Sequence, residues 1–289
     1  MHELHNNSVS ITKYLIIMKK IKKFIINIFG LNFFEFLLRI YLVFTKPSNY
    51  KMLFYRPSKD LKDNEYLISK FGHDKNYIKE VLRKNNLNYH EKQLSWHYHI
   101  FAALKKDNLK ILEIGTYNGV FTRFLSNVYY NSIIYTIDLP ENDERFINSY
   151  ERNELNEREK FLNIRNKNLK NKNIKFIEMD SINLTKKFRE EYFDLIWIDG
   201  DHHDPQVSLD IKSSISLIKK DGFFCCDDVN ISSVKEKDKY TSTESKYTLD
   251  NLEKEKKIKN FYFVKLIRPH NALGRPYTGH ICLSKKLNI

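Results

Sequence analysis

Apolar residues in this chain gather into short runs that stop at a glycine or an acid. LKILEI (residues 109–114) runs into Gly115, IIYTIDL stops around Asp138, NIKFIEMD at Asp180, FDLIWID at Asp199, and GFFCCDD at Asp227 and Asp228. Short apolar runs bounded by turn residues read as buried strands. Between them, VFTRFLSNVYY after Gly119 and VSLDIKSSISLI repeat their apolar positions at helical spacing. A polar insertion from Pro140 to about Lys172, rich in Asn, Glu and Arg, reads as a helix with loops. Strand and helix in alternation imply a parallel sheet with right-handed crossovers. Beyond a polar, Lys-rich stretch (about 232–260), FYFVKLI and HICLSKK read as two closing strands. No internal repeat is evident.

Ahead of the first strand, EYLISKFG, NYIKEVLRKNN and QLSWHYHIFAALKK look helical. The chain thus divides into a basic, apolar helical extension and linker (1–62) and one α/β domain (63–289). The domain has a helical lead-in (63–108) and a sheet core (109–289). Charged residues at 29% and hydrophobic residues at 42% are ordinary for a globular protein and suggest neither disorder nor a polytopic membrane protein. The net charge of +13 is unusual, and residues 1–62 carry +8 of it, eleven Lys and Arg against Glu3, Glu35 and Asp60. Such an arm suits anionic lipid, nucleic acid or an acidic partner; the absence of zinc-finger and RNP-type signatures argues against nucleic acid.

The apolar stretch 14–44 approaches spanning length, yet it contains Asn27, Asn32, Glu35 and Arg39, and charge at mid-bilayer is costly. An amphipathic helix on a membrane surface, or docked on the domain, fits better than a span. No small-residue cleavage site follows, which argues against a secretory signal. The expected location is cytoplasmic, at the inner face of a membrane if this helix docks there. Cys225, Cys226 and Cys282 lack metal-ligand spacing, and adjacent residues on a strand face opposite ways, so buried free thiols are expected.

The carboxyl edge of a parallel sheet is where open α/β folds bind ligands, and the acids above fall there. In EIGTYNG, Gly115 and Gly119 would let backbone approach a ligand closely and turn a helix N-terminus toward it. The turn is neither G-x-G-x-x-G nor a P-loop. Asp138, about 19 residues beyond Gly119, can accept both hydroxyls of a ribose.

The succession LEIGTYNG, YTIDL, IEMDS, WIDGDHH and FCCDDV resembles class I S-adenosylmethionine-dependent methyltransferases over about residues 90–285. It is most similar to the metal-dependent small-molecule O-methyltransferases, including the macrocin O-methyltransferase-like group. The resemblance implies a doubly wound, mostly parallel seven-stranded sheet of Rossmann-like methyltransferase type, its last strand antiparallel. It implies that the turn of Glu113, Gly115, Tyr117 and Gly119 cradles the methionine part of S-adenosylmethionine, Asp138 the ribose, and Asp180 with Ser181 the adenine. It further implies that Asp199, Asp227 and Asp228 hold Mg²⁺ or another divalent ion, and that His202 is the general base.

Chemistry makes sense of that set. Hard oxygen ligands suit Mg²⁺, and a base three residues after Asp199 could take the proton of an acceptor hydroxyl. His203 rivals His202 as base and Asp201 is a rival ligand. The plainer readings are a loop histidine satisfied by a neighbour, and for Asp227–Asp228 a helix cap or turn. The expected acceptor is a small molecule or a sugar hydroxyl; nothing in the chain names it or the oligomeric state. Arg268, His270, Asn271, Arg275 and Tyr277, between the closing strands, could contact such an acceptor or form a solvated hairpin tip. Two other classes stay open, a nucleic-acid methyltransferase and a non-catalytic nucleoside-binding protein docked at a membrane.

Overall fold

The computed structural model describes residues 58–71, 75–87, 96–231, 243–268 and 277–288. Residues 14–44 and the loop residues His270, Asn271 and Arg275 lie outside the described residues. Three lead-in helices, α1 (Ser58–Ser69), α2 (Lys75–Lys84) and α3 (Trp96–Ala103), precede the sheet. α1 begins inside the stretch expected to be a connection. Then come β1 (Lys110–Ile114), α4 (Val120–Val128), β2 (Ile133–Asp138), α5 (Glu144–Ile147), α6 (Leu155–Asn168) and β3 (Ile174–Glu178). A 3₁₀ turn (Ser181–Asn183) leads to α7 (Leu184–Lys187), β4 (Phe193–Ile198), α8 (Gln206–Leu217) and β5 (Ile218–Asn230). α9 (Thr243–Lys254), β6 (Ile258–Arg268) and β7 (Tyr277–Lys286) close the domain.

The seven strands form one sheet in the order β3-β2-β1-β4-β5-β7-β6, with β7 antiparallel to β5 and the pairs from β3 to β5 parallel. The order in which strands are added reverses between the parallel neighbours β1 and β4, which makes that junction the topological switch point.

Both faces are covered, which explains why the strands read as unbroken apolar runs. In β4, Leu195 and Trp197 enter one core with α3 and α4, through Ile100, Phe101, Phe124 and Leu125. Ile196 and Ile198 enter the opposite core with Val207 and Ile211 of α8. β5 splits likewise, sending Cys225 to the first core and Cys226 to the second; these and Cys282 are free and buried. In α2 the charged residues leave one apolar stripe, and Ile78 and Leu82, four apart, bury it.

One long-range clip ties the two ends of the domain. Asn64 of α1 is buried; its amide donates to the Val264 carbonyl (2.8 Å) and accepts from the Val264 N–H (3.0 Å). Among the described residues no helix is long and apolar enough to cross a membrane.

Candidate active site

Strand register sets the site. The last paired residues of the inner strands lie level with one another: Ile114 with Ile137, Ile114 with Ile198, and Ile198 with Cys226. One residue further on, Asp138, Gly115, Asp199 and Asp227 therefore stand in a row across β2, β1, β4 and β5. Four separate sequence runs have been brought to one edge.

The β1 turn is tightly wound, with left-handed backbone at Gly115 (φ +97), Tyr117 (φ +47) and Gly119 (φ +72). At Gly115 the Asp199 carbonyl passes so close that a Cβ would lie 2.2 Å from its oxygen, which demands glycine. Asp138 receives the N–H of Tyr117 on Oδ2 (2.9 Å) and of Leu139 on Oδ1 (2.8 Å). Burial pushes its carboxyl up, against the pull of those two N–H groups. Glu113 lies beneath the turn and braces it: its fully buried Oε2 accepts from Thr122 and Thr136, both at 2.5 Å. Desolvation pushes this carboxyl up to about 8.

Tyr117 is exposed, its ring 5.0 Å from that of Tyr150 and 5.4 Å from that of Phe161. The buried Arg152 guanidinium lies over Phe146 at 3.9 Å and faces Asp138 electrostatically. Beyond β3, Asp180 caps the 3₁₀ turn through Ile182 N–H (3.0 Å) and pairs with Arg145 (2.8 Å). Ser181 accepts from Gln206 (2.6 Å), which also donates to Asp210 (2.9 Å).

On the other side of the switch point, His202 Nε2 lies 3.6 Å from Asp199 Oδ1 and 3.7 Å from Asp228 Oδ2, close enough to feel both charges without a hydrogen bond to either. The rivals are engaged with each other: Asp201 Oδ1 accepts the His203 backbone N–H (3.0 Å) and lies 3.2 Å from its ring Nδ1. Burial and the neighbouring Asp227 and Asp228 charges push the Asp199 carboxyl well up, although 38% of its side chain stays accessible from the crevice.

One expectation needs correction. Asp227 and Asp228 do not end their strand. β5 runs on to Asn230, and its pairing with β7 slips between Cys226 and Val229, a bulge that puts Asp228 at φ +48. Bulges re-aim side chains without ending the ladder, and here an extended run alone did not disclose one.

The expected metal site at Asp199, Asp227 and Asp228 finds no support in the described residues. Lys265 of β6, a residue the sequence reading passed over, puts its ammonium 2.5 Å from Asp227 Oδ2 and 2.9 Å from Asp228 Oδ1. Among the described residues no group of three or more His, Cys, Asp or Glu side chains is disposed to hold a metal ion. The donor set does not fit the expected ion, because a divalent cation would have to displace this buried ammonium from both carboxylates; breaking a buried pair costs about 3–5 kcal/mol. Burial would raise the Asp227 carboxyl, but Lys265 and then His97 hold it below its ordinary range. Burial and Asp227 push Asp228 up, while Lys265 itself is raised by Asp227 and Asp228 against desolvation. The signal was there: Phe261 and Phe263 face the first core, so alternation puts Lys265 at an inward position, where a charge needs partners.

Residues 112–229, from β1 through β5, match the family model of a methyltransferase domain, so the chain carries such a domain and is a transferase by class. Searched against curated proteins, the chain gave no match. Among solved structures it is similar to a Klebsiella pneumoniae protein provisionally designated an O-methyltransferase (15% identity, 78% of this chain and 96% of that one, TM-score 0.45). It is similar also to the O-methyltransferase from Bacillus cereus in complex with SAH (17% identity, 80% and 100%, TM-score 0.42). A third is the precorrin-6y C5,15-methyltransferase from Geobacter metallireducens (11% identity, 76% and 91%, TM-score 0.40). Likeness at this level carries no argument about the acceptor.

Proposed function

We propose that this chain transfers the methyl group of S-adenosylmethionine to an oxygen of a small-molecule or sugar acceptor. The observation that carries the reading is the row Asp138, Gly115, Asp199, Asp227 across the switch point, with His202 beside its acidic end. The β1 turn and the Asp138 carboxylate are disposed for the methionine and ribose parts, with Tyr117 and Tyr150 as an aromatic wall beside them. Asp180, Ser181, Gln206 and Asp210 line the edge expected for adenine.

S-adenosylmethionine supplies an electrophilic methyl carbon on a sulfonium. His202 Nε2 receives the acceptor hydroxyl proton while the acceptor oxygen forms the new C–O bond; the S–CH₃ bond breaks with its electron pair passing to sulfur, leaving S-adenosylhomocysteine. Asp199 Oδ1 and Asp228 Oδ2 stand 3.6 and 3.7 Å from that nitrogen. Positioning supplies much of the acceleration in a displacement of this kind. No step here runs through a divalent ion.

The test is calorimetric titration of S-adenosylmethionine into wild type, Asp138→Ala and His202→Gln. Wild type should bind, Asp138→Ala should bind about 10–100-fold more weakly for the loss of a charged acceptor, and His202→Gln should bind as wild type does. A folded wild type that does not bind overturns the reading. Binding justifies screening sugar and diol acceptors, on which His202→Gln should lose turnover with little change in KM.

A further inference from the structure

The Asp227–Asp228 pair is the strongest feature that the family-level match leaves unexplained, because its partner Lys265 lies beyond the matched residues 112–229. Lys265 is nearly buried, with 11% of its side chain accessible, and its ammonium reaches one oxygen of each aspartate. Asp228 is thereby fixed by Oδ1, which leaves Oδ2 turned to His202 at 3.7 Å. Asp199, one strand over, extends the same cluster and is the other carboxylate beside His202.

We propose that Lys265 is the resident cation of this carboxylate cluster, standing where a divalent metal would otherwise sit, and that the folded site excludes such a metal. Three carboxylates around one crevice need a positive charge to be tolerated. Here a side chain provides it covalently, so the cluster needs nothing from solution. An ammonium is a compact point charge with three donors, and two of them are spent on holding the aspartates. Lys265 is accordingly a positioning residue: it orders Asp228, and Asp228 in turn faces His202.

The proposal rests on the proposed reaction only for the purpose of the cluster. Metal occupancy is read without cofactor or turnover, so the two can fail separately. The experiment is titration of Mn²⁺ into the full chain, followed by electron paramagnetic resonance of the free ion, for wild type, Lys265→Met and Lys265→Arg, each checked for fold by circular dichroism. Wild type and Lys265→Arg should show no saturable site below millimolar Mn²⁺. Lys265→Met should gain one site at least tenfold tighter, and adding Asp228→Asn should remove it. A stoichiometric micromolar site in wild type overturns the proposal on its own. So does a folded Lys265→Met that binds no Mn²⁺, because the lysine would then not be what keeps the ion out. Should Lys265→Met fail to fold, Lys265→Gln is read in the same way.

Discussion

Replacing Gly115 with alanine tests the central junction of the site. The added Cβ would lie 2.2 Å from the Asp199 carbonyl oxygen, 2.7 Å from its carbon and 3.0 Å from the Gly200 nitrogen. Ordinary contact begins near 3.4 Å, so the β1 turn and the end of β4 must part by about 1 Å. Backbone cannot swing aside as a side chain can, and forced overpacking costs about 1–3 kcal/mol. A φ of +97 adds about 1–3 kcal/mol for any residue with a Cβ. The sum is about 2–6 kcal/mol, against a total stability on the order of 5–15 kcal/mol. Gly119→Ala is the control: its φ of +72 is left-handed too, but its nearest neighbours are Leu169 and Asn168 side-chain carbons at 3.1–3.3 Å, which can give. It should cost about 1–2 kcal/mol. Guanidinium unfolding measures both, and calorimetry should show at least tenfold weaker S-adenosylmethionine binding by Gly115→Ala, because the two halves of the crevice move apart. If Gly115→Ala unfolds within about 1 kcal/mol of wild type, or costs no more than Gly119→Ala, the close approach of β1 and β4 is refuted.

Glu113 and Asn64 give two further tests. The Glu113 carboxyl, raised to about 8 in the fold from about 4.5 in the unfolded chain, contributes stability that is fully present below about 4.5 and is lost as pH rises through 8. Wild type should therefore lose more stability between pH 5 and pH 8 than Glu113→Gln does, by on the order of a few kcal/mol; equal losses would show that this carboxyl is not raised. Asn64→Ala removes both hydrogen bonds to Val264 and strands its half-buried N–H and C=O, a cost of about 1–3 kcal/mol that should lower Tm by about 2–12 °C in a thermal scan.

Much of this site was legible in the sequence because the physics behind it is local. An apolar run that stops at Gly115, Asp138, Asp180 or Asp199 announces a buried strand and the residue exposed at its end, and parallel pairing does the rest. The alternation of Cys225 and Cys226 between faces followed from the pleat alone. What escaped was non-local. For Glu113, expected in the cofactor turn, the bracing contacts were hidden: the hydroxyls of Thr122 and Thr136, 9 and 23 residues away, both donate to its Oε2. The β5 bulge depends on the register of β7, which no pattern within GFFCCDDV encodes. Lys265 was the costliest omission: alternation sets it on the face of Phe261 and Phe263, but only the place of β6 in the sheet brings it onto Asp227 and Asp228.

The clip between Asn64 and Val264 has a bearing on how the chain is made. Asp227 and Asp228 leave the ribosome before Lys265, which follows 37 residues after Asp228, and the strand that carries it is fastened to a helix synthesised 200 residues earlier. A nascent chain halted before β6 has its acidic pair bare, in a cytosol or tube that contains divalent ions. Charge balance at the crevice thus arrives late in synthesis, on the same strand that locks the lead-in helix. Translation pausing ahead of residue 258, or magnesium during refolding, acts on a species whose ion affinity the finished protein does not share.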